Sequence, residues 1–436
     1  MMSLTRSMFH CCVVGGTLAG CGGGEGGLDF RDVIVRDSAG ITLVESPAGS
    51  EAAAPVWVID PTPIVRIGVI TGDPVYQFGR IDGVTQLSDG RIVALDGQAR
   101  ELRYFTPEGE YLFKVGRSGD GPGEIFPTGT VRIFPLPDDT LAVLNQQRIT
   151  LFDKNGQFIE TVTSRHTAAL GLLDHRAIIV FQSIGSIADP GYPDGLTVQK
   201  NHYVRIGLGD PETSDSLTLK NSRQSWSSGG STTVTEFSPD GQSFTFISGG
   251  PTAYVPFTHP PISYVRVGGF AITDWQRREI EVFDGSGKLT RILRVAGGLE
   301  PLTPERFRAM IDRTLAEMEP EARTAVEPRY AAMPVPATIP AYAPAMVSGM
   351  NRMLMSEDGE VWVGRFDPVM GFGTSPGATP AVWTAFDTQG RVAGTIHMPE
   401  RFTPFELTPE GIIGVYRDEY DVEYIQHVRV TRPRES

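Results

Sequence analysis

A phenylalanine followed four residues later by a glycine recurs at Phe105/Gly109, Phe152/Gly156, Phe283/Gly287 and Phe386/Gly390. No other feature limits the chain as much. The phenylalanine reads as the last inward anchor of a short strand, and the glycine supplies the positive φ of a tight turn into the next strand. The whole unit is legible from Ile81 to Arg117. An apolar run reaches Ser88-Asp89-Gly90, followed by Ile92–Asp96, Glu101–Phe105, the turn Thr106–Gly109, and Tyr111–Val115. Four short strands with turns at this spacing predict one antiparallel sheet.

The first turn of the unit also recurs, as Pro137-Asp138-Asp139, Asp174-His175, Gly268-Gly269, Glu357-Asp358-Gly359 and Pro409-Glu410-Gly411. An apolar strand follows each. A further look-alike, Pro239-Asp240-Gly241, has no Phe/Gly turn of its own and is assigned to the end of the third unit. Six units of four strands predict an all-β fold, a six-bladed β-propeller, in which radial repetition removes exposed sheet edges. The blades fall at about 80–117, 128–164, 166–248, 251–295, 340–398 and 400–436. Three N-terminal apolar segments (Ile41–Val44, Val56–Ile59 and Ile64–Ile67) lack a blade, and some of them are expected to complete the last one.

Two stretches interrupt the rhythm. Ser183–Asn201 is polar and glycine-rich and reads as a long loop. Residues 299–345 form an insertion between blades four and five. Within it, Thr303-Pro304-Glu305 has the grammar of a helix start, with an N-cap, a proline at the first turn and an early acid. Phe307, Met310, Ile311, Thr314, Leu315 and Met318 then repeat at helical spacing, predicting a helix over 303–318. A proline-rich run, Met333 to Pro344, cannot extend it.

The first 20 residues combine Arg6 with a brief apolar run, the pattern of an export signal too short to span a bilayer. They end in Leu18-Ala19-Gly20-Cys21, which resembles the lipobox of bacterial lipoproteins. That resemblance implies cleavage before Cys21 and a lipid on its thiol. The domain plan is therefore a signal peptide (1–20), a glycine-rich tether (21–32) and a propeller (33–436). Cys11 and Cys12 leave with the signal, so the exported chain has no disulfide. A net charge of -14 argues against a nucleic-acid partner. The chain is expected to be a monomer that meets the membrane only through its anchor, in the outer membrane or periplasm.

If strands alternate up and down, the second-to-third loops and the blade crossings share one face, and nearly every long segment lies there. Loops on a rigid scaffold are where binding concentrates. At that face the second strands end in Asp96, Asn145, Asp274, Arg365 and Arg417, with Trp275 beside Asp274. These six are the candidate ligand-binding residues. Converging carboxylates and amides would suit a divalent cation such as Ca²⁺. The plainer reading is that such residues accept backbone N–H bonds in their own loops. Gly373-Thr374-Ser375-Pro376-Gly377 imitates a hydrolase nucleophile elbow, but Pro376 has no N–H to donate to an oxyanion. The histidines show no zinc spacing.

Leu87–Asp96 with Phe105–Gly109 resembles the NHL-like six-bladed propellers. Val115–Phe126 looks like the signature of their bacterial lipoprotein branch. The resemblance implies binding of an envelope protein or small ligand at the long-loop face. The related lactonase-type propellers imply the alternative, a metal-dependent hydrolase at the channel mouth. A sugar-binding or sugar-oxidising propeller is a third possibility.

Overall fold

The computed structural model describes residues 32–433 except 167–168, 175, 189–195, 209–212, 228–231, 238–242, 249–251, 255–262, 267, 275–276, 317–318, 332, 334, 337, 340, 343–351 and 367–380. The chain opens with a hairpin, β1 (Ile34–Ser38) and β2 (Ile41–Ser46), then a one-turn helix α1 (Ser50–Ala53), β3 (Val56–Ile59) and β4 (Val65–Ile67). A first sheet follows, β5 (Ile81–Gln86), β6 (Ile92–Asp96), β7 (Glu101–Phe105) and β8 (Tyr111–Val115). A second comprises β9 (Val131–Pro135), β10 (Leu141–Asn145), β11 (Arg148–Phe152) and β12 (Phe158–Thr163).

The third sheet begins with β13 (Ala169–Asp174), β14 (Ala177–Ala188), β15 (Leu196–Gly207) and β16 (Thr213–Ser227). A separate ribbon follows, β17 (Thr232–Phe237) and β18 (Ser243–Ser248), before β19 (Thr252–Tyr254) returns to pair with β16. The fourth sheet is β20 (Ser263–Arg266), β21 (Gly269–Asp274), β22 (Glu279–Asp284) and β23 (Leu289–Val295). Helices α2 (Pro304–Ala316) and α3 (Pro320–Ala331) come next. The C-terminal third is β24 (Met353–Met355), β25 (Val361–Gly364), β26 (Val382–Phe386), β27 (Val392–His397), β28 (Phe402–Leu407), β29 (Gly411–Arg417) and β30 (Glu423–Thr431).

The sheets stand in a propeller-like arrangement, and the apolar core lies between them. Ile92, Phe105, Ile413 and Ile425 cluster between the first sheet and the C-terminal strands. Leu95, Tyr104, Leu141 and Phe152 join the first sheet to the second, and Leu144, Ile149, Leu172 and Ile178 join the second to the third. The series continues through Tyr203 with Phe270, Leu293 with Phe386, and Trp362 with Ile412. Every residue of β6, β7 and β10 is buried, because neighbouring sheets cover both faces. Outer β8 keeps the alternation of a half-covered strand.

The Phe/Gly repeat is one turn built four times. Phe105, Phe152, Phe283 and Phe386 are all buried, each at a register shift into the next strand. The glycines have φ between 76° and 91°, and each donates its N–H to the carbonyl three residues earlier. Asp153, Asp284 and Asp387 cap their turns by accepting two backbone N–H bonds apiece, while Thr106 does so through its hydroxyl.

Hydrogen bonding divides the strands differently from the sequence reading. The N-terminal segments go to three places. β2 runs parallel to β23 and widens the fourth sheet, with β1 outside it. Only β4 pairs with β30 alone. β3 pairs parallel with β27 and antiparallel with β30, fusing all seven C-terminal strands with β3 and β4 into a nine-stranded sheet. The bridge depends on Gly394: a Cβ there would stand 2.3 Å from the ring of buried Trp57.

Two further expectations need correction. Ser183–Asn201 is largely a ribbon, with β14 and β15 paired from Ser183↔Asn201 to Ala188↔Thr197 beyond a register shift. Its polar, glycine-containing composition lacks a strand's apolar alternation and so reads as a loop. The predicted helix exists as α2, with Thr303 accepting the N–H of Arg306 and Phe307, Met310, Ile311 and Leu315 buried. A second helix, α3, follows it without an apolar stripe, and its Tyr330 packs on the same cluster.

Candidate functional site

Antiparallel order puts each second-to-third loop and each sheet-to-sheet crossing at one edge, and the Phe/Gly turns at the other. The ends of β6, β10, β21, β25 and β29 therefore share an edge with the Gly116–Glu124 crossing and the helical insertion. That crossing is ordered from within: Glu124 accepts from the Arg117 side chain and from Gly121 N–H, which hold its carboxyl below the usual range.

Most of the sequence-predicted residues are occupied with their own loops. Asp96 is 1% exposed. Its Oδ1 accepts from the N–H groups of Gln98 and Ala99, and its Oδ2 from Gly79 N–H and Arg103 Nη2. Arg103 also binds Glu101 at 2.9 Å and the carbonyl of Val75. Asn145 donates to the carbonyls of Thr128 and Thr130, fastening the crossing that precedes β9, while its Oδ1 is buried without a partner. Asp274 lies 3.5 Å from Lys220, a buried amine on β16 held at 2.7 Å by Glu281. Arg417 binds Glu423 at 2.6 Å, and Glu423 also accepts Ile81 N–H, tying β30 to the start of β5. Trp275, Cys21 and the Gly373–Gly377 tract lie outside the described residues. The described candidates bind different partners in their own loops and junctions.

Arg365 differs. Its Nε donates to Thr384 Oγ1 at 2.8 Å, and its Nη2 donates to Thr395 Oγ1 and to the carbonyl of Glu51, each at 2.8 Å. Glu51 belongs to α1, which β2 and β3 hold at this edge between the fourth sheet and β24–β27. Its buried carboxylate pairs with Arg278 and accepts from Thr384 at 2.9 Å. Tyr342, in the return from the helices, forms a bridge with Arg365 and is 2% exposed. Its hydroxyl is buried without a partner, as are Ser50 Oγ and Arg278 Nε. Burial, with Arg278 nearby, lowers the pKa of Arg365 from its usual value, and burial raises that of Tyr342.

One guanidinium on the Glu51 carboxylate, a second held by two hydroxyls and a main-chain carbonyl, and two unpartnered hydroxyls form a donor-rich group. Sequence reading found Arg365 but missed Glu51, Arg278 and Tyr342. They come from three remote segments, and no spacing rule links them. Among the described residues no three His, Cys, Asp or Glu side chains are grouped to hold a metal ion. The Asp96 carboxylate is already filled by three backbone N–H groups and Arg103.

No protein-family model matches the chain, and no curated protein matches it in sequence. Solved structures of similar backbone course exist. A protein described as exported, from Bacteroides fragilis, superposes with a TM-score of 0.45 at 9% identity, covering 90% of this chain and 100% of that one. A DUF4221 member from Bacteroides vulgatus gives 0.44 at 10%, covering 87% and 99%. Regucalcin, a calcium-binding protein from Agrobacterium tumefaciens, gives 0.32 at 11%, covering 90% and 97%. No residue role is transferred at this level of likeness. No helix among the described residues is long and apolar enough to cross a membrane.

Proposed function

We propose that this chain is an exported, Cys21-anchored, NHL-like propeller whose long-loop face binds a small ligand or an envelope partner. In this reading the fused sheet counts as two blades, β24–β27 and β28–β30 with β4, bridged on the outside by β3. That makes six blades, with β4 closing the ring. The observation that carries the functional reading is the Glu51–Arg278–Arg365–Tyr342 group. It gathers polar side chains from four separate segments at the edge where the long segments emerge, and leaves some of them without partners. Buried polar groups are ordinarily satisfied, so an unsatisfied set at a loop-rich edge favours binding over mere structure.

Two experiments test this. Cys21→Ser should release the chain from the membrane fraction into the soluble periplasm. Capture of a partner or metabolite from envelope extract should fall with Arg117→Glu, on the crossing, and persist with Lys154→Glu, in a tight turn at the opposite edge. Equal loss in both variants would refute the assignment of the face.

A further inference from the structure

We propose that the group formed by Arg278, Arg365, Tyr342 and Ser50 is a receptor for a small monoanionic carboxylate. The proposal rests on the long-loop face being the binding face, and it names the chemistry that face selects.

The argument begins with charge. Arg278 pairs with the Glu51 carboxylate, whereas Arg365 meets only the Glu51 main-chain carbonyl and pairs with no carboxylate among the described residues. Glu279, on the flank of Tyr342, is engaged by Arg294 at 2.6 Å, and Arg294 also holds Glu45. Arg277 reaches Glu279 at 3.7 Å from an exposed position. The ion pairs around the group are thus balanced, and the group itself carries one positive charge more than Glu51 neutralises.

Donor geometry comes next. Thr384, Thr395 and the Glu51 carbonyl use Nε and Nη2 of Arg365, and Nη1 meets no acceptor among the described residues. Glu51 uses Nη2 of Arg278 and leaves its Nε unpartnered. The hydroxyls of Tyr342 and Ser50 complete a set of donors that no acceptor in the described chain satisfies. Guanidinium forks match the planar, two-oxygen shape of a carboxylate, and a buried charge-assisted bond is stronger than one in water. Arg278 and Arg365 are partly exposed, whereas Tyr342 and Ser50 are buried. The anion would therefore enter past the two arginines with its oxygens toward the phenol.

A purely structural role predicts something else. The arginines would then only staple α1 to β26 and β27, and no anion would be preferred. The test uses the full-length chain in detergent, titrated calorimetrically with sodium acetate and sodium formate in a constant chloride background, with inorganic phosphate as comparison. Expected is saturable binding of acetate and formate, weakened at least about tenfold by Arg365→Gln and by Tyr342→Phe. Tyr342→Phe removes one oxygen from a buried ring, so its melting temperature without acetate should match the parent, which separates binding from folding. Carboxylates binding no better than chloride, phosphate binding better than acetate, or both variants binding like the parent would overturn the proposal. If Arg117→Glu still abolished capture from envelope extract, only the carboxylate assignment would fall and the binding face would stand.

Discussion

The junction of the first sheet with the C-terminal strands and the junction of the fourth sheet with β24–β27 occupy corresponding places, yet they use charge in opposite ways. At the first, the charges along the long-loop edge are paired: Arg80 with Asp82, Arg103 with Asp96 and Glu101, Arg417 with Glu423. Thr85 on β5 donates to Glu406 on β28, so the pairing extends to the innermost strands. At the second, Arg278 alone holds the Glu51 carboxylate, Arg365 is met by hydroxyls and a main-chain carbonyl, and three polar atoms go unpartnered. The fold needs a polar lock at such a junction, and the first shows what a completed lock looks like. The second is therefore marked out by what it leaves unspent.

The largest expected effect breaks the completed lock. Asp96→Ala removes the acceptor of three backbone N–H groups and one of the two carboxylates that hold the buried guanidinium of Arg103. Breaking a buried pair by deleting one partner costs about 3–5 kcal/mol, read as a lowered midpoint in urea denaturation. Arg365→Met should cost less, about 1–3 kcal/mol, because Thr384 and Thr395 keep their own bonds to Glu51 while the change removes a half-buried cation with no carboxylate partner among the described residues. If Arg365→Met proved as costly as Asp96→Ala, the two junctions would be locks of the same kind and the distinction would be lost. Glu423→Gln should cost about 1 kcal/mol or less, since Arg417 is one-third exposed and its attraction is screened. The amide oxygen can still accept from Ile81.

What was legible in the sequence follows the same division. Phe105/Gly109 and its three repeats announced the sheets because a tight turn needs specific residue types at fixed spacing. Asp96 was legible as a second-strand terminus, and its plainer reading, a loop organiser, is the one its hydrogen bonds satisfy. α3 was not legible: Pro320–Ala331 has no apolar face and contains Pro328, so tertiary contacts rather than periodicity hold it. Nor was the pairing of Ser183–Ala188 with Thr197–Asn201, whose polar composition carries no strand alternation. Glu51, Arg278 and Tyr342 were out of reach for a different reason. Their proximity depends on where β2, β3 and the helical return dock, and that is decided by long-range pairing such as Thr42↔Arg291 and Thr395↔Val56.

The smallest predicted effect concerns His427 on β30, opposite Val65 of β4. The ring is buried and bonded to the Thr408 hydroxyl at 2.8 Å. Burial, reinforced by Arg429 and opposed by Glu410, lowers its pKa from the ordinary 6.5. The unfolded chain therefore takes up the proton more readily than the folded one. Stability contributed by the neutral ring is complete above pH 6.5 and declines as the pH falls below that value toward the lowered folded-state pKa. His427→Gln abolishes this dependence, so the difference in urea midpoint between parent and variant should shrink or reverse between about pH 8 and about pH 5. A difference that stays constant across that range would mean that the folded ring titrates as it does in the unfolded chain. The β4–β30 closure would then be open to water, and the compact first junction on which the comparison depends would be lost.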